Sequence, residues 1–217
     1  MVRIRRGGTR EALEWAHTRA GAIGLRSEVV NMVIYDERTN SAVYKRRKLD
    51  AIKSITVHRI KDRKDYFRWA GDLAYAFADT SKYAAGSYTG GKMPYHFFID
   101  QWGNVHQMLS LDCIGPGARG INKQSVHIAV SGDFRKEHPT TAQLHSLKLL
   151  CVKLQLVLGV KEVRGHTEKG FSGRMQAAVG KQCPGQHLNM DALRTQITLA
   201  LVLKRANDAQ GLHLYAH

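Results

Sequence analysis

The hydrophobic pattern along the chain predicts strands that alternate with helices. Short apolar runs bounded by turn residues are typical of strands, whereas apolar residues three or four positions apart are typical of helices. Strands are predicted at 28–35, 42–44, 54–60, 95–100, 105–108, 126–134 and 161–165, the first two as a hairpin. Helices are predicted at 9–20, 65–79, 141–158 and 189–205. This alternation indicates an α/β protein whose helices pack on a central sheet.

The third predicted helix carries signals for both of its ends. Thr140 and Gln143 have the spacing of a capping box, in which each side chain bonds the backbone N–H of the other residue. Gly159 follows the last apolar residue and can adopt the left-handed conformation that ends many helices. We therefore expect this helix to begin at 141 and to end at 158.

The composition limits the class of protein. A chain of 217 residues with 43% hydrophobic residues suits one well-packed domain with an extension, not a disordered chain. No apolar run approaches the roughly 18 residues that cross a bilayer, so we expect a protein that is not integral to the membrane. No secretory signal is visible, and three cysteines, Cys113, Cys151 and Cys183, suit synthesis in a reducing cytoplasm.

The charge predicts an anionic partner. The chain has 33 Lys and Arg against 18 Asp and Glu, a formal net charge of +15. Nucleic acid, a membrane surface and an anionic cell-wall polymer all remain open on charge alone, as does a merely solvated basic surface. No zinc-finger spacing, RNA-binding aromatic motif or helix-turn-helix signature is present, so we expect no specific nucleic acid partner.

Three residues at the ends of predicted elements could bind one metal ion. His58 lies near the end of a strand and faces away from Ile55 and Val57, because successive side chains alternate. His166 follows a short strand, and Cys183 lies in the loop before the last helix. Zinc accepts nitrogen and sulfur ligands, and three protein ligands leave a fourth position open for water or substrate. Taken singly, each residue could equally be a packing or surface residue.

Five short motifs occur in a fixed order along the chain. They are His58 in SITVHRI, Tyr95-His96, Ser131-Gly132-Asp133-Phe134, His166 in GHTE, and Lys181-x-Cys183-Pro184-Gly185. In this order they resemble the zinc-dependent N-acetylmuramoyl-L-alanine amidases, a family that includes phage lysozymes with amidase activity and peptidoglycan-recognition proteins. The resemblance covers roughly residues 53–200.

The resemblance implies a fold and a division of the chain. It implies an α/β fold with a mixed central β-sheet flanked by helices, as in the amidases and peptidoglycan-recognition proteins. The catalytic domain would span 53–205, after a basic N-terminal extension at 1–52 of unknown role and before a C-terminal tail at 206–217. One Zn²⁺ per chain is the implied cofactor.

The resemblance also assigns roles residue by residue. The implied zinc ligands are His58, His166 and Cys183. Tyr95 matches a tyrosine that lines the active site, and Lys181 matches a catalytic lysine. Glu168 falls where the family often has an acidic residue close to the metal. Amide hydrolysis needs an activated nucleophile and a stabilised oxyanion, which zinc, Lys181 and Tyr95 would supply.

Several alternatives to these roles stay open. Glu168 is either a general base or a group that only orients a histidine. Tyr95 could be an ordinary strand aromatic and Lys181 a solvated loop lysine. His96 should face away from its neighbour and pack in the core. Cys113 and Cys151 are expected to be buried thiols, and no role is predicted for the other histidines, which are His106, His127, His138, His145 and His187.

Three features depart from the family pattern, and the first of them concerns sugar or peptide specificity more than catalysis. Many phage-type members have a histidine where the loop here has Pro116-Gly117. The following strand has His127 where a small residue is usual. The loop at 167–180 is long, and is either a substrate-binding flap or a tolerated insertion.

These residues together predict a peptidoglycan hydrolase. It would cleave the amide bond between N-acetylmuramic acid and L-alanine with zinc-activated water, as an endolysin in host cell lysis. A non-catalytic peptidoglycan-binding recognition module is the alternative. We expect a monomer that is made in the host cytoplasm and reaches the bacterial peptidoglycan after membrane permeabilisation. The excess positive charge would favour electrostatic contact with anionic wall polymers or the outer membrane.

Overall fold

The structure, a computed structural model, describes residues 32–36, 38, 44–60, 93–168 and 182–209. Its strands are β1 (Ile34–Asp36), β2 (Ser54–Ile60), β3 (Phe97–Ile99), β4 (Val105–Gln107), β5 (Ser125–Ser131) and β6 (Glu162–Gly165). Its α-helices are α1 (Thr141–Leu158) and α2 (Met190–Ala209). The predicted helices at 9–20 and 65–79, and most of the predicted hairpin at 28–35 and 42–44, lie outside the described residues.

The six strands form one mixed sheet in the order β1-β4-β3-β5-β2-β6. The β3–β4 pair is antiparallel, and the other four neighbouring pairs are parallel. The mixed sheet with its helices confirms the predicted fold class. Strands β3, β5, β2 and β6 run in the same direction, so their carboxyl ends meet at one edge of the sheet.

The sheet is buried on both faces. Ile55 and Val57 of β2 belong to the same buried cluster as Leu147 and Leu150 of α1, which places the helices on this face. On the other face a second cluster includes Ile60, Phe98 and Ala129 together with Tyr44 and Cys113. A strand buried on both faces reads as a nearly continuous apolar run, as β2 and β5 do. His58 pairs with Ala129 and therefore lies on the second face.

Helix α1 begins and ends where its sequence predicts. The Thr140 side chain accepts from the backbone N–H of Gln143, whose side chain accepts from the backbone N–H of Thr140. Gly159 ends the helix in the left-handed conformation at φ 69°. The buried Gln143 amide also donates to the carbonyl oxygens of Asp100 and Ser131, 3.0 and 2.7 Å away. Gln143 thereby joins the helix to the ends of β3 and β5.

The segment before residue 53 contributes β1 to the sheet, and further residues of it pack against the sheet. Tyr44 and Ile52 are buried. The Arg47 guanidinium donates to the carbonyl oxygens of Leu111 and Ser125, at 2.9 and 2.7 Å. In the described part of the chain no helix is both long and apolar enough to cross a membrane.

Candidate metal centre

Three side chains meet at the carboxyl edge of β2 and β6. They are the predicted zinc ligands His58, His166 and Cys183, whose candidate ligand atoms all lie within 4.8 Å of one another. His58 belongs to β2 and is buried, whereas His166 and Cys183 are half-buried. The ring centroids of His58 and His166 are 4.5 Å apart. The structure thus brings together residues separated by up to 125 positions in the sequence.

The register of the sheet places the two histidines side by side. β6 pairs with β2 in parallel, and Gly165 lies opposite Val57. The next residue along, His166, donates its backbone N–H to the Val57 carbonyl at 3.0 Å. Since His58 follows Val57, the two imidazoles start from neighbouring backbone positions and converge on one point.

The loop that carries Cys183 is fastened to the end of β6 by Thr167. The Cys183 backbone N–H donates to Thr167 Oγ1 at 2.9 Å, and the Cys183 carbonyl accepts from the Thr167 backbone N–H at 2.9 Å and its hydroxyl at 3.1 Å. Pro184 fits against Gly165, where an added Cβ would lie 2.8 Å from the Pro184 ring. Thr167, which the sequence analysis did not single out, therefore sets the position of the thiol.

Arg59 supports the thiol from the β2 side. Its backbone N–H points at the Cys183 sulfur, 3.5 Å away, and its Nε donates to the Gln182 carbonyl at 3.0 Å. The guanidinium also pairs with Asp133 at 3.0 Å. A hydrogen bond from Arg135, strengthened by the charge of Arg59, holds the pKa of Asp133 well below its usual range. Asp133 therefore keeps the charge that anchors Arg59.

Gly185 lets the cysteine loop rest on the turn after β5. Its φ is +118°, and an added Cβ would lie 2.4 Å from the carbonyl carbon of Phe134. The backbone N–H of His187 donates to the Phe134 carbonyl at 2.9 Å. The sequence motifs around Phe134 and Gly185 are thus in direct contact.

Two of the candidate ligands, His58 and Cys183, are neutral at pH 7. Burial, together with the charge of His166, lowers the pKa of His58 well below its ordinary value, so its imidazole is neutral at pH 7. Burial raises the pKa of the Cys183 thiol to about 11. A cation that binds here therefore has to displace the thiol proton but finds a histidine lone pair already available.

The donor set fits zinc. Two imidazole nitrogens and one sulfur are among the commonest zinc ligands, at roughly 2.0 to 2.3 Å from the ion, and three protein ligands leave a tetrahedral site open. Tetrahedral geometry at these bond lengths puts ligand atoms about 3.5 Å apart. The donor atoms of this structure are close enough to reach that spacing through small side-chain rotations.

Tyr95 lies beside the candidate metal centre. Its ring centroid is 5.2 Å from that of His58, at an angle of 55°. Burial, with the charge of Cys183 adding to it, raises the pKa of the Tyr95 phenol, so the hydroxyl remains a hydrogen-bond donor at neutral pH. The second residue with an implied catalytic role, Lys181, lies outside the described residues.

Glu168 is engaged in structural contacts. One carboxylate oxygen accepts from the Gly165 backbone N–H at 2.8 Å. Arg194 of α2 donates to both carboxylate oxygens, at 3.0 and 2.7 Å. Of the two roles considered for Glu168, these contacts favour the one in which it orients the segment that carries His166.

A third histidine, to which the sequence analysis gave no role, lies against the centre. His127 of β5 is fully buried, and its Nδ1 is 3.2 Å from Nε2 of His58. The pairing of β5 with β2 sets Thr56 opposite His127, so His127 and His58 are on the same face. The signal in the sequence was a histidine within an otherwise apolar strand. His96 is buried as predicted, and it contacts His127.

Solved structures share this fold. LysCS, an endolysin N-acetylmuramoyl-L-alanine amidase from Clostridium intestinale URNW, matches with a TM-score of 0.56 and 18% identity over 75% of this chain and 95% of that chain. The Ph2119 endolysin from Thermus scotoductus MAT2119 bacteriophage Ph2119 matches with a TM-score of 0.55 and 19% identity over 75% and 97%. Bumblebee PGRP-SA matches with a TM-score of 0.52 and 17% identity over 77% and 94%.

At these identities the likeness establishes the fold, which is that of the amidases and peptidoglycan recognition proteins. Among curated proteins, none matches the chain in sequence. Residues 48–186 match the family model described as N-acetylmuramoyl-L-alanine amidase. That range covers more than half of the chain, so the protein belongs to this amidase family.

Proposed function

We propose that the protein is a zinc-dependent amidase that cleaves the bond between the lactyl group of N-acetylmuramic acid and L-alanine in peptidoglycan. The observation that carries the proposal is the convergence of His58, His166 and Cys183 on one point. Family membership supplies the reaction class, because the matching family is one of N-acetylmuramoyl-L-alanine amidases.

In this proposal His58, His166 and Cys183 would hold one Zn²⁺. A bound ion would supply Lewis acidity, which activates water and polarises an amide carbonyl. Cys183 would serve as a thiolate, whose negative charge would lower the net charge of the centre. A cationic group near the developing oxyanion becomes correspondingly useful.

Two side chains are proposed to act on the substrate. Tyr95, with its phenol kept protonated by burial, donates a hydrogen bond to the attacking water or to the oxyanion. Lys181, two positions before Cys183 in the chain, supplies the positive charge that stabilises the oxyanion. Glu168 is proposed as a positioning residue, since Arg194 and the Gly165 N–H occupy its carboxylate.

We further propose that the protein acts as an endolysin. Two of the similar structures are endolysins by name, one of them from a bacteriophage. The protein would be made in the host cytoplasm as a monomer and would reach the cell wall or periplasm after permeabilisation of the membrane. Its net charge of +15 would assist contact with anionic wall polymers or the outer membrane.

Mass spectrometry of purified peptidoglycan treated with the protein tests the proposal. We expect free stem peptides that begin with L-alanine, lost when a chelator removes the metal and restored by added zinc. Cys183→Ser is the matched control, since it should fold but lose both zinc and turnover. Unchanged muropeptides with zinc present, from a protein that still sediments with the wall, would instead identify a recognition module without hydrolase activity.

A further inference from the structure

Two buried histidines lie behind the candidate metal centre. His127 and His96 are both fully buried, although imidazoles are costly to bury without hydrogen-bond partners. The His127 ring contacts the His58 ring, and the His96 ring contacts the backbone of His127. Neither was predicted to take part in the site, and neither belongs to the three ligand residues.

The contact between His58 and His127 determines which nitrogen of His58 can face a metal ion. Nε2 of His58 lies 3.2 Å from Nδ1 of His127, so this nitrogen is used in a hydrogen bond. Nδ1 of His58 is then the nitrogen left for an ion. A histidine that binds metal through Nδ1 carries its proton on Nε2 and donates it. His127 must therefore accept that proton's hydrogen bond on its own Nδ1.

His127 is itself held on two sides. Its backbone N–H donates to His96 Nδ1 at 3.0 Å, and its carbonyl accepts from the His96 backbone N–H at 2.8 Å. Because His96 Nδ1 accepts from a backbone N–H, its proton is on Nε2, which donates to the Cys113 carbonyl at 3.0 Å; the Arg47 guanidinium lies 2.8 Å from the same nitrogen. Burial and the neighbouring Arg47 lower the pKa of His96 to about 3, so His96 stays neutral.

The loop at Gly117 is shaped to admit the His127 ring. A Cβ added at Gly117 would lie 2.6 Å from the ring carbon Cγ and 2.9 Å from Nδ1. Ring and loop are therefore in close contact, with no room for rotation of the imidazole towards Gly117. Among the described residues His127 Nε2 has no hydrogen-bond partner. The ring therefore makes its hydrogen bond through Nδ1, to His58.

We propose that His127 is a positioning residue that holds the His58 ring through a hydrogen bond between His58 Nε2–H and His127 Nδ1, presenting His58 Nδ1 to the metal. This inference rests on the proposed zinc site. A residue that served packing alone would be apolar, because an imidazole here leaves Nε2 buried without a partner at a cost of about 1–3 kcal/mol. Outer hydrogen bonds to ligand histidines typically change metal affinity by about 10–100-fold.

Three substitutions separate the hydrogen bond from the volume of the ring. His127→Leu removes the acceptor but fills similar space. His127→Asn places a carbonyl oxygen where Nδ1 was and keeps the acceptor. His127→Gln puts its amide one bond further out and does not reproduce Nδ1. Cys151→Ala, in the core on the helix side of the sheet, controls for a loss of stability without a change at the centre.

Zinc affinity of the full chain, measured by competition with a chromophoric chelator, is the main readout, with the absorption spectrum of the cobalt-substituted protein as a second. We expect His127→Leu and His127→Gln to weaken zinc binding by about 10–100-fold and to alter the cobalt spectrum. His127→Asn and Cys151→Ala should stay close to the parent protein in both measurements.

The outcomes distinguish this proposal from the zinc site on which it rests. A parent protein that binds zinc, with His127→Leu binding equally tightly, overturns the role of His127 alone. A parent protein that binds no zinc overturns the metal site and this role with it. Should His127→Leu fail to fold, the Asn and Gln variants decide, because equal zinc affinities in those two would also overturn the proposal.

Discussion

Each candidate ligand is held in place by at least one other residue that contacts it or its segment. Thr167 and Arg59 fix the Cys183 loop, Glu168 braces the segment of His166, and His127 touches His58. Short motifs predict the ligands and Glu168, but they do not predict Thr167, Arg59 or His127 as supporting residues. Each of these three residues lies far along the chain from the ligand that it contacts, and only the folded structure brings the two together.

Lys181 is expected to act on the reaction and not on the metal. Lys181→Ala should therefore retain zinc and the fold, but should lower kcat by about two to three orders of magnitude, the usual loss when an oxyanion donor is removed. Single-turnover cleavage of a muramoyl-peptide, with bound zinc quantified in the same preparation, measures both. Full activity of this variant would remove Lys181 from the mechanism.

Glu168 and Arg194 are expected to act as one structural pair. Each of Glu168→Ala and Arg194→Ala should lower the free energy of unfolding by about 1 kcal/mol, because the pair is only partly buried. The double variant should lose less than the sum of the two, as contacting residues do. Urea denaturation gives these values. Normal stability of Glu168→Gln, combined with lost turnover, would instead identify Glu168 as a general base.

Helix α1 is linked to the sheet by one buried amide at its first turn. Gln143 donates to the carbonyl oxygens of Asp100 and Ser131, the latter at the end of β5 and three residues before Phe134. The first turn of the helix is thus tied to the ends of β3 and β5. The sequence predicted that Gln143 caps the helix but not that its side chain also bonds the ends of two strands.

Gln143→Leu should be more damaging than Thr140→Ala. Loss of the Thr140 cap costs about 1 kcal/mol of unfolding free energy. The Gln143 substitution removes the reciprocal cap and two donors to buried carbonyls, with an expected cost of about 1–3 kcal/mol. Chemical denaturation of both variants measures the order. Equal losses of unfolding free energy in the two variants would show that the Gln143 amide stabilises the protein only through the helix cap.

Local sequence signals predicted the bounds of several helices and strands, but they did not predict which strands pair with one another. β2 spans 54–60 as its apolar pattern predicts, and α1 spans 141–158 between its caps. β3 is shorter than predicted at Phe97–Ile99, and α2 continues to Ala209 with no glycine or proline to stop it. The strand order, with β2 between β5 and β6, depends on contacts far apart in sequence and has no local signature.

The excess of positive charge is a property of the whole molecule. With 33 basic and 18 acidic residues, the protein carries +15 at neutral pH, spread along the chain. Such an excess attracts extended anionic polymers over several ångströms and does not require a specific contact. We therefore expect the net charge to affect binding to the cell wall and not the reaction at the candidate metal centre.

Wall binding should weaken as salt rises. The screening length falls from about 10 Å at 0.1 M salt to about 3 Å at 1 M, so attraction to anionic wall polymers should largely disappear. Sedimentation with purified walls measures binding, and hydrolysis of a small soluble muropeptide serves as the control that salt should affect much less. Binding that is unchanged between low and high salt would rule out the electrostatic contribution.

The ligands of the candidate centre differ in how firmly the backbone holds them, and this sets an order for losing the ion. His58 lies on β2, which is paired on both sides, whereas Cys183 lies on a loop fastened by Thr167 and Arg59. A loop, even one fastened by side-chain hydrogen bonds, opens at lower free energy than a strand that is paired on both sides. If zinc binds as proposed, its release should therefore begin with the opening of the cysteine loop, while His58 and His166 stay in place on the sheet and can rebind the ion.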